Sequence, residues 1–444
     1  KGHLCFGDLF AQQVESRFLI PRVAVLIISY LTRWNVRYEM AFSFFLLCAI
    51  SVALYWLSRK TVSDKKAPVA LLLLAANIVL FSPIQSYNLL TGHQMGVFMP
   101  AACLVACVAV TCSGKLGLAG KFLCCMILCI LATFSIANGI VSWVLLLPLL
   151  IVAGLKDGGS PGKIRILSAA WVACFLLSVW AYFHSYKMPP SQAAPSAWDI
   201  CIDPAAAVQY FLAFIGSPLF FENASSTAAA GFMAISLWGI IAFALIRRYR
   251  TDPAQLYRAL AWLTIGAYAL LSGALITLGR FGWSRHAPIP PTRYTSFSLF
   301  FTLSLVYLCA LYFSGTASGV WRYSRLFRPA CVIILGVFIC MQAQTYRAGI
   351  AEMIVLKKDR LRAKAYLLFM NVVEKKSALN KFVYPDMDKK KEAAGYIDML
   401  GYIAPPLIKA NTIALMEGEA HPGVNYGYLS NLIKNADGTY TASG

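Results

Sequence analysis

The sequence predicts an all-α polytopic membrane protein with about ten transmembrane helices in this chain. Of its 444 residues, 59% are hydrophobic and 13% are charged, whereas soluble domains carry about 25% charged residues. Apolar stretches of about twenty residues recur along the chain, which is the length that an α-helix needs to cross roughly 30 Å of hydrocarbon. The alternating pattern of a transmembrane β-barrel is absent, so helices are the expected spanning elements.

Ten apolar segments are expected to cross the membrane. They are Tyr38–Ser58, Pro68–Phe81, Val97–Cys112, Gly120–Phe134, Asn138–Leu155, Ile164–Tyr186, Ser226–Ile246, Tyr257–Leu278, Thr295–Phe313 and Pro329–Thr345. Two further apolar segments, Phe18–Leu31 and Tyr210–Phe221, are too short to cross and are predicted to form interfacial or re-entrant helices.

The basic residues predict the orientation of the chain. Sixteen Lys and Arg residues lie in one set of alternating loops, and the opposite loops between spans hold four. The positive-inside rule places the first set in the cytoplasm, so the net charge of +20 reflects topology and predicts no nucleic-acid partner. This orientation places residues 1–37 outside, but the sequence contains no segment before them that could carry them across the membrane. A further helix or signal segment is therefore expected before Lys1.

The polarity of the chain predicts three parts. Residues 1–37 form an outer loop with an interfacial helix, residues 38–346 the transmembrane helical domain, and residues 347–444 a small outer domain of mixed structure. In the last part, Met353–Val373 has helical spacing and a further short helix ends near Leu400. Loops or short strands are expected from Pro405 onward.

Polar and ionisable side chains collect on the outer side, where several convergent groups are the default hypothesis for a site. Arg17, Arg22 and Arg293 each lie at the outer edge of an apolar segment, at the depth of a lipid-linked phosphate. A guanidinium group can bind phosphate through two parallel hydrogen bonds and keeps its charge. The alternative is that these arginines reach the interface without a ligand, as arginines at helix ends often do.

Two outer carboxylates, Asp8 and Glu15, are candidates for a catalytic base, because activating a hydroxyl group requires a carboxylate within hydrogen-bond reach. The alternative interpretation is that each carboxylate forms an ion pair with Arg17 or Arg22, or is simply exposed to solvent. The other residues expected to contact a substrate are Gln85, Asn88, His93, Asn138, Arg280, His286 and Tyr294. Asp8, Glu15 and His93 are the candidate ligands for a divalent metal, but no HxxxH-type spacing supports one, so no metal or other cofactor is predicted.

Several short motifs resemble those of a bacterial family. The segments ESRFLIPRV (15–23) and WNVRYEM (34–40) resemble the patterns E-H-R-I-x-x-P-R-L and W-N-x-R-Y-E-M of polytopic membrane proteins regarded as GT-C-type glycosyltransferases. FSPIQ (81–85), ANG (137–139), TRYTSF (292–297) and YPDM (384–387) are similar to that group in order and spacing. The resemblance covers most of residues 8–405. Ser16 replaces the usual His, and Asp8 stands where a double acid is frequent.

The resemblance implies transfer of a sugar from a polyprenyl-phosphate donor to a cell-surface glycan on the periplasmic face of the bacterial inner membrane. O-antigen serotype-converting glucosyltransferases, which modify lipopolysaccharide, work on this plan. The implied base is an acid of the first outer loop, which corresponds to Asp8 or Glu15, and the donor phosphate would be held by Arg17, Arg22 and Arg293. The expected partners are the polyprenyl-phosphate-linked sugar, a glycan or lipid-linked acceptor, and membrane lipid. The C-terminus is expected in the periplasm.

Two other functions are compatible with the sequence. A lipid or polysaccharide transporter needs a polar path across the membrane, whereas the predicted spans hold few ionisable residues near mid-depth. A non-catalytic subunit of a membrane complex is expected to pair its outer arginines and carboxylates around a closed surface. A cavity open to both lipid and the outer solution would favour the enzyme.

Overall fold

The computed structural model describes residues 5–13, 15–62, 66–187, 199–219, 222–248, 252–284, 289–315, 327–371, 387–403, 406–408, 431–434 and 440–443. The chain forms two compact units, Lys1–Leu356 and Lys357–Gly444. This division falls after Leu356, whereas the sequence predicts a boundary after residue 346.

Helices make up most of the first unit. In chain order they are α1 Phe6–Phe10, α2 Leu19–Thr32, α3 Val36–Thr61, α4 Lys66–Leu80, α5 Ser86–Leu89, α6 Met95–Thr111, α7 Leu118–Thr133, α8 Val141–Lys156, α9 Pro161–Phe183, α10 Asp199–Ile202, α11 Pro204–Gly216, α12 Ala224–Arg247, α13 Pro253–Arg280, α14 Thr295–Gly315 and α15 Phe327–Leu368, whose last residues belong to the second unit. Two short strands, β1 Gln12–Gln13 and β2 Ser16–Arg17, pair antiparallel. Short 3₁₀ turns at Gly92–Gln94 and Thr292–Tyr294 precede α6 and α14.

Eight helices within the described residues are long and apolar enough to cross a membrane. They are Val36–Thr61, Val69–Leu89, Gly92–Thr111, Ala137–Lys156, Pro161–Phe183, Ala224–Arg247, Pro253–Arg280 and Thr292–Phe313. Each coincides with one of the predicted spans, so the prediction of a multi-pass helical membrane protein is confirmed. Of the two other predicted spans, one corresponds to α7, which has 16 residues, and one lies within α15. The total of ten stays a prediction.

The helix starts follow capping signals in the sequence. The side chain of Asn35 accepts a hydrogen bond from the backbone N–H of Arg37 at 3.2 Å, and the side chain of Asn223 accepts one from Ser226 at 2.9 Å. Asp252 caps α13 in the same way, and Pro253 follows it at the first helical position. These polar side chains satisfy backbone donors that have no partner inside the helix.

Helices α6, α13 and α14 form the centre of the first unit. In the most apolar stretch of each helix, 67%, 61% and 72% of the residues are buried, against 17% for α9. Trp262 of α13 stacks on Tyr307 of α14 with ring centroids 3.7 Å apart. The indole N–H of Trp262 donates to the hydroxyl of Thr61 in α3 at 3.0 Å. The stacked pair and this hydrogen bond join three helices and satisfy the indole donor of Trp262 inside the apolar interior.

The two apolar segments predicted to be too short to cross the membrane differ in how they pack. Helix α2 leaves Ile27, Tyr30 and Leu31 more than half exposed, and its position at the membrane interface stays a prediction. Helix α11 instead packs along α12, where Gly216 and Gly231 allow close approach of the two backbones.

The substitution Gly231→Ala is expected to destabilise the protein, because an added Cβ would lie 1.9 Å from the carbonyl oxygen of Leu212 in α11. Overpacking of this kind costs about 1–3 kcal/mol. Gly239→Ala in the same helix is the matched control, since its Cβ meets no atom within 4 Å. Thermal unfolding in detergent measures both variants. Equal midpoints for the two variants would contradict the close packing of α11 on α12.

Helix α15 is continuous where the sequence predicts a span ending at Thr345 and a separate helix from Met353. Residues 346–352 contain no proline to interrupt it. Gly349 lies where α15 crosses the backbone of Pro83 and Ile84, and a Cβ there would lie 2.4 Å from Ile84 N.

The described part of the second unit has a small core and one hairpin. Met370, Ala394 and Leu407 are buried together. Ala394 belongs to helix α16, Met387–Met399. Strand β3 Asn431–Lys434 pairs antiparallel with β4 Tyr440–Ser443. A helix followed by short strands agrees with the prediction for this region, and the start of the YPDM segment lies outside the described residues.

Candidate functional site

A cavity of about 660 Å³ lies in the first unit where α6 and α14 begin and α13 ends. Six predicted site residues from distant parts of the chain line it: Asp8, Glu15, Arg22, His93, Arg280 and Arg293. The basic loops expected in the cytoplasm connect the opposite ends of these helices. The cavity is therefore on the side that the sequence predicts to be outside.

Glu15 and Arg280 form an ion pair at the edge of the cavity. One carboxylate oxygen of Glu15, Oε1, contacts the guanidinium group. The other, Oε2, is buried and has no hydrogen-bond partner among the described residues. A buried carboxylate oxygen without a donor is costly, so it is a position where a ligand hydroxyl group or water is expected to bind.

Asp8 lines the same cavity but is bound within its own helical turn. Its carboxylate accepts hydrogen bonds from the backbone N–H of Cys5 at 3.0 Å and from the Cys5 thiol at 3.1 Å. These bonds, the backbone one first, hold the pKa of Asp8 below its ordinary value. Asp8 is therefore a weaker proton acceptor than an unengaged carboxylate.

Arg22 joins α2 to the segment that carries Asp8. Its Nη1 donates to the carbonyl oxygens of Leu9, at 2.9 Å, and Ala11. The free carbonyl groups at the end of α1 carry partial negative charge, which the guanidinium group offsets. Among the described residues its Nη2 makes one long contact, of 3.5 Å, with Gln13, so Arg22 keeps some capacity to bind an anion.

Arg293 is held in the cavity wall by a buried polar network. Asn88 donates to the carbonyl oxygen of Arg293 at 2.6 Å and to the hydroxyl of Ser296 at 2.9 Å, and Ser296 donates to Gln85 at 2.9 Å. The guanidinium group lies 5.0 Å from the centre of the Tyr294 ring and donates to its hydroxyl at 3.2 Å. No ion pair to Arg293 is present in the described part of the chain. Gln85, Asn88 and Tyr294 thus position Arg293 and do not themselves line the cavity.

Arg17 occupies a different place from the predicted one. It is 5% exposed and does not line the cavity. Its guanidinium group donates to the carbonyl oxygens of Tyr182, at 2.6 Å, Phe10, at 2.7 Å, and His184. It also lies 4.6 Å from the centre of the Phe10 ring. Arg17 therefore fixes the N-terminal segment to the end of α9, and its donors are already used.

Of the remaining predicted site residues, His93 lines the cavity and Asn138 does not. His93 is exposed at the rim of the cavity beside Gln94. Asn138 is buried in the 3₁₀ turn Ala137–Ile140 and does not line the cavity. His286 lies outside the described residues. No cluster of three His, Cys, Asp or Glu side chains suited to a metal ion occurs among the residues that the structure describes.

Sequence reasoning missed the apolar wall of the cavity. Phe18, Pro21, Val25 and Leu26, at the start of α2 and along it, line the cavity together with Arg22 of the same helix. Successive members of this set are three, four and one residues apart, which places them on one face of a helix. This spacing was the signal in the sequence that could have identified them. Tyr87, an outer polar residue by sequence that was not among the predicted substrate contacts, also lines the cavity. The cavity therefore combines three guanidinium groups and two carboxylates with an apolar surface on α2.

The fold and the cavity define a multi-pass helical membrane protein with an amphipathic cavity at one end of its helices. Comparisons with models of protein families, with curated proteins and with solved structures found no match for the chain.

Proposed function

We propose that this chain is a membrane glycosyltransferase that transfers a sugar from a polyprenyl-phosphate donor to a glycan on the periplasmic side of a bacterial inner membrane. The observation that carries the proposal is the buried Oε2 of Glu15, which has no hydrogen-bond partner in the described part of the chain and lies in a cavity that Arg280 and Arg293 also line. A carboxylate acceptor beside cationic groups is the arrangement needed to deprotonate a hydroxyl group while a phosphate leaves. The motif resemblance points to the same chemistry.

A lipid-linked phosphate fits both walls of the cavity. The apolar side chains of α2 provide a surface for the first isoprene units, and Arg293 and Arg22 face the same space with guanidinium groups. Three guanidinium groups against two carboxylates leave a net positive charge before the donor binds. An anionic group at the interface is therefore favoured by electrostatics, and its apolar chain by burial.

The proposed reaction is a single displacement with inversion at the anomeric carbon. The acceptor hydroxyl oxygen attacks this carbon and forms the glycosidic bond, while the bond from the carbon to the phosphate oxygen breaks. The hydroxyl proton passes to Oε2 of Glu15. The bonding electrons leave with polyprenyl phosphate, and Arg293 and Arg22 offset the negative charge that it gains.

Dependence of the reaction on the lipid chain tests the proposal. The full chain is reconstituted in proteoliposomes with polyprenyl-phosphate hexoses and a lipopolysaccharide acceptor. We expect sugar transfer coupled to release of polyprenyl phosphate, with at least tenfold lower kcat/KM for the same sugar on a phosphate with a short alkyl chain, because about 0.8 kcal/mol is lost per unburied methylene.

The other two functions predict different results in this assay. Movement of the intact lipid-linked sugar across the bilayer, without release of polyprenyl phosphate, would indicate a transporter. Absence of both transfer and translocation for every polyprenyl-phosphate hexose would indicate a non-catalytic subunit and overturn the proposal.

A further inference from the structure

A second cavity of about 360 Å³ adjoins the first in the same unit. It is lined by Tyr87, Ile289, Pro290, Pro291, Thr292, Arg293 and Glu352. Tyr87 and Arg293 also line the larger cavity, so the two spaces meet at these side chains. A ligand in the second cavity would thus lie next to a group bound by Arg293.

Glu352 gives the second cavity its own polar anchor. It is half-buried on α15, and its Oε1 accepts a hydrogen bond from the hydroxyl of Thr292 at 2.7 Å. Thr292 follows Pro290 and Pro291, whose fixed backbone angles restrict the turn. The carboxylate is therefore held in one orientation, and it forms no ion pair within the described residues.

The charges select the class of ligand. Glu352 disfavours an anion and Arg293 disfavours a cation, so an uncharged ligand with hydroxyl groups matches the pair best. Such hydroxyl groups can donate to the carboxylate and accept from the guanidinium group. Tyr87 and the two prolines provide apolar surface of the kind that packs against the C–H face of a sugar ring. The volume is at the lower end of the range for small-molecule sites.

We infer that the second cavity binds the acceptor, as a neutral pyranose unit held by Glu352 and Arg293. This inference rests on the proposed function, because it places the acceptor hydroxyl group next to the cavity that would hold the anomeric carbon of the donor. The reaction requires that proximity, since the attacking oxygen and the anomeric carbon must be brought within contact distance. Glu352 is a binding residue in this arrangement, and Glu15 remains the base.

Direct sugar binding tests the inference independently of transfer. Saturation-transfer NMR on the detergent-solubilised full chain uses methyl pyranosides of glucose, galactose and rhamnose, with glucose 6-phosphate as an anionic counterpart. We expect at least one neutral glycoside to bind and the phosphate ester to bind less well at this cavity. Glu352→Gln should weaken glycoside binding about tenfold or more, because a hydrogen bond to a charged group is lost.

Glu222→Gln is the matched control, since Glu222 is an exposed carboxylate that lines neither cavity. In transfer assays, Glu352→Gln should raise the KM of the acceptor and leave the KM of the polyprenyl-phosphate donor unchanged. Thr292→Val, which frees the carboxylate, should give a smaller change in the same direction. Thermal unfolding of each variant establishes that the protein is folded.

The outcomes separate this inference from the proposed function. Glycoside binding that depends on Glu352, in a protein without transferase activity, would retain the sugar site and reject the glycosyltransferase. Transfer activity with an acceptor KM unaffected by Glu352→Gln would reject the acceptor site and retain the enzyme. A rise in the KM of the donor alone would assign the second cavity to the donor, and no binding of any glycoside would overturn the inference.

Discussion

Glu15→Gln is expected to lower kcat for sugar transfer by about 10²–10⁴-fold, the usual contribution of a general base. Glutamine keeps the size of the side chain and can still accept a hydrogen bond from Arg280. It cannot take the proton of the acceptor hydroxyl group. Because the buried Oε2 is the atom without a partner in the described structure, the loss should appear in kcat, with donor binding reduced little.

Asp8→Asn distinguishes the two candidate bases. The Asp8 carboxylate is engaged by Cys5, and the pKa of Asp8 is lowered, so this change should reduce kcat much less than Glu15→Gln. Initial rates in proteoliposomes at saturating donor measure both, with Glu222→Gln as the control for loss of an outer carboxylate. A large loss with Asp8→Asn and normal activity with Glu15→Gln would reverse the assignment.

The membrane-spanning core follows from local properties of the sequence. A helix that crosses hydrocarbon satisfies its backbone internally, so length and apolar composition suffice to predict it. This reasoning succeeded for the long helices such as α3 and α13. It did not predict that α11 packs along α12, because the close contact of Gly216 with Gly231 depends on two segments meeting in space.

The candidate site was predictable only as far as it depends on topology. The polar residues of the side predicted to be outside could be collected from topology alone, and six of them line one cavity. Which arginines face that cavity could not be predicted, because it depends on where neighbouring carbonyl groups lie. Arg17 meets the carbonyl oxygens of Tyr182 and His184, which are more than 160 residues away in sequence. Glu352 was likewise invisible as a site residue, since its neighbour Thr292 is 60 residues away.

Arg293→Gln is expected to lower kcat by about 10²–10³-fold, the effect of removing one preorganised group that stabilises developing charge. Arg293 has no carboxylate partner among the described residues, and Asn88 and Tyr294 hold its backbone and guanidinium group. Its charge is therefore available to the leaving phosphate. The affinity for the donor should fall as well, because the donor phosphate is already anionic before the reaction.

Two substitutions define the physical role of Arg293. Arg293→Lys should recover part of the activity, since an ammonium group keeps the charge but loses the two-pronged geometry. Arg37→Gln removes an exposed arginine that lines neither cavity and should leave kcat unchanged. If Arg293→Gln lowered the thermal midpoint but left kcat intact, Arg293 would serve the fold alone. The leaving phosphate would then have to be stabilised by Arg22 and Arg280, which share the cavity.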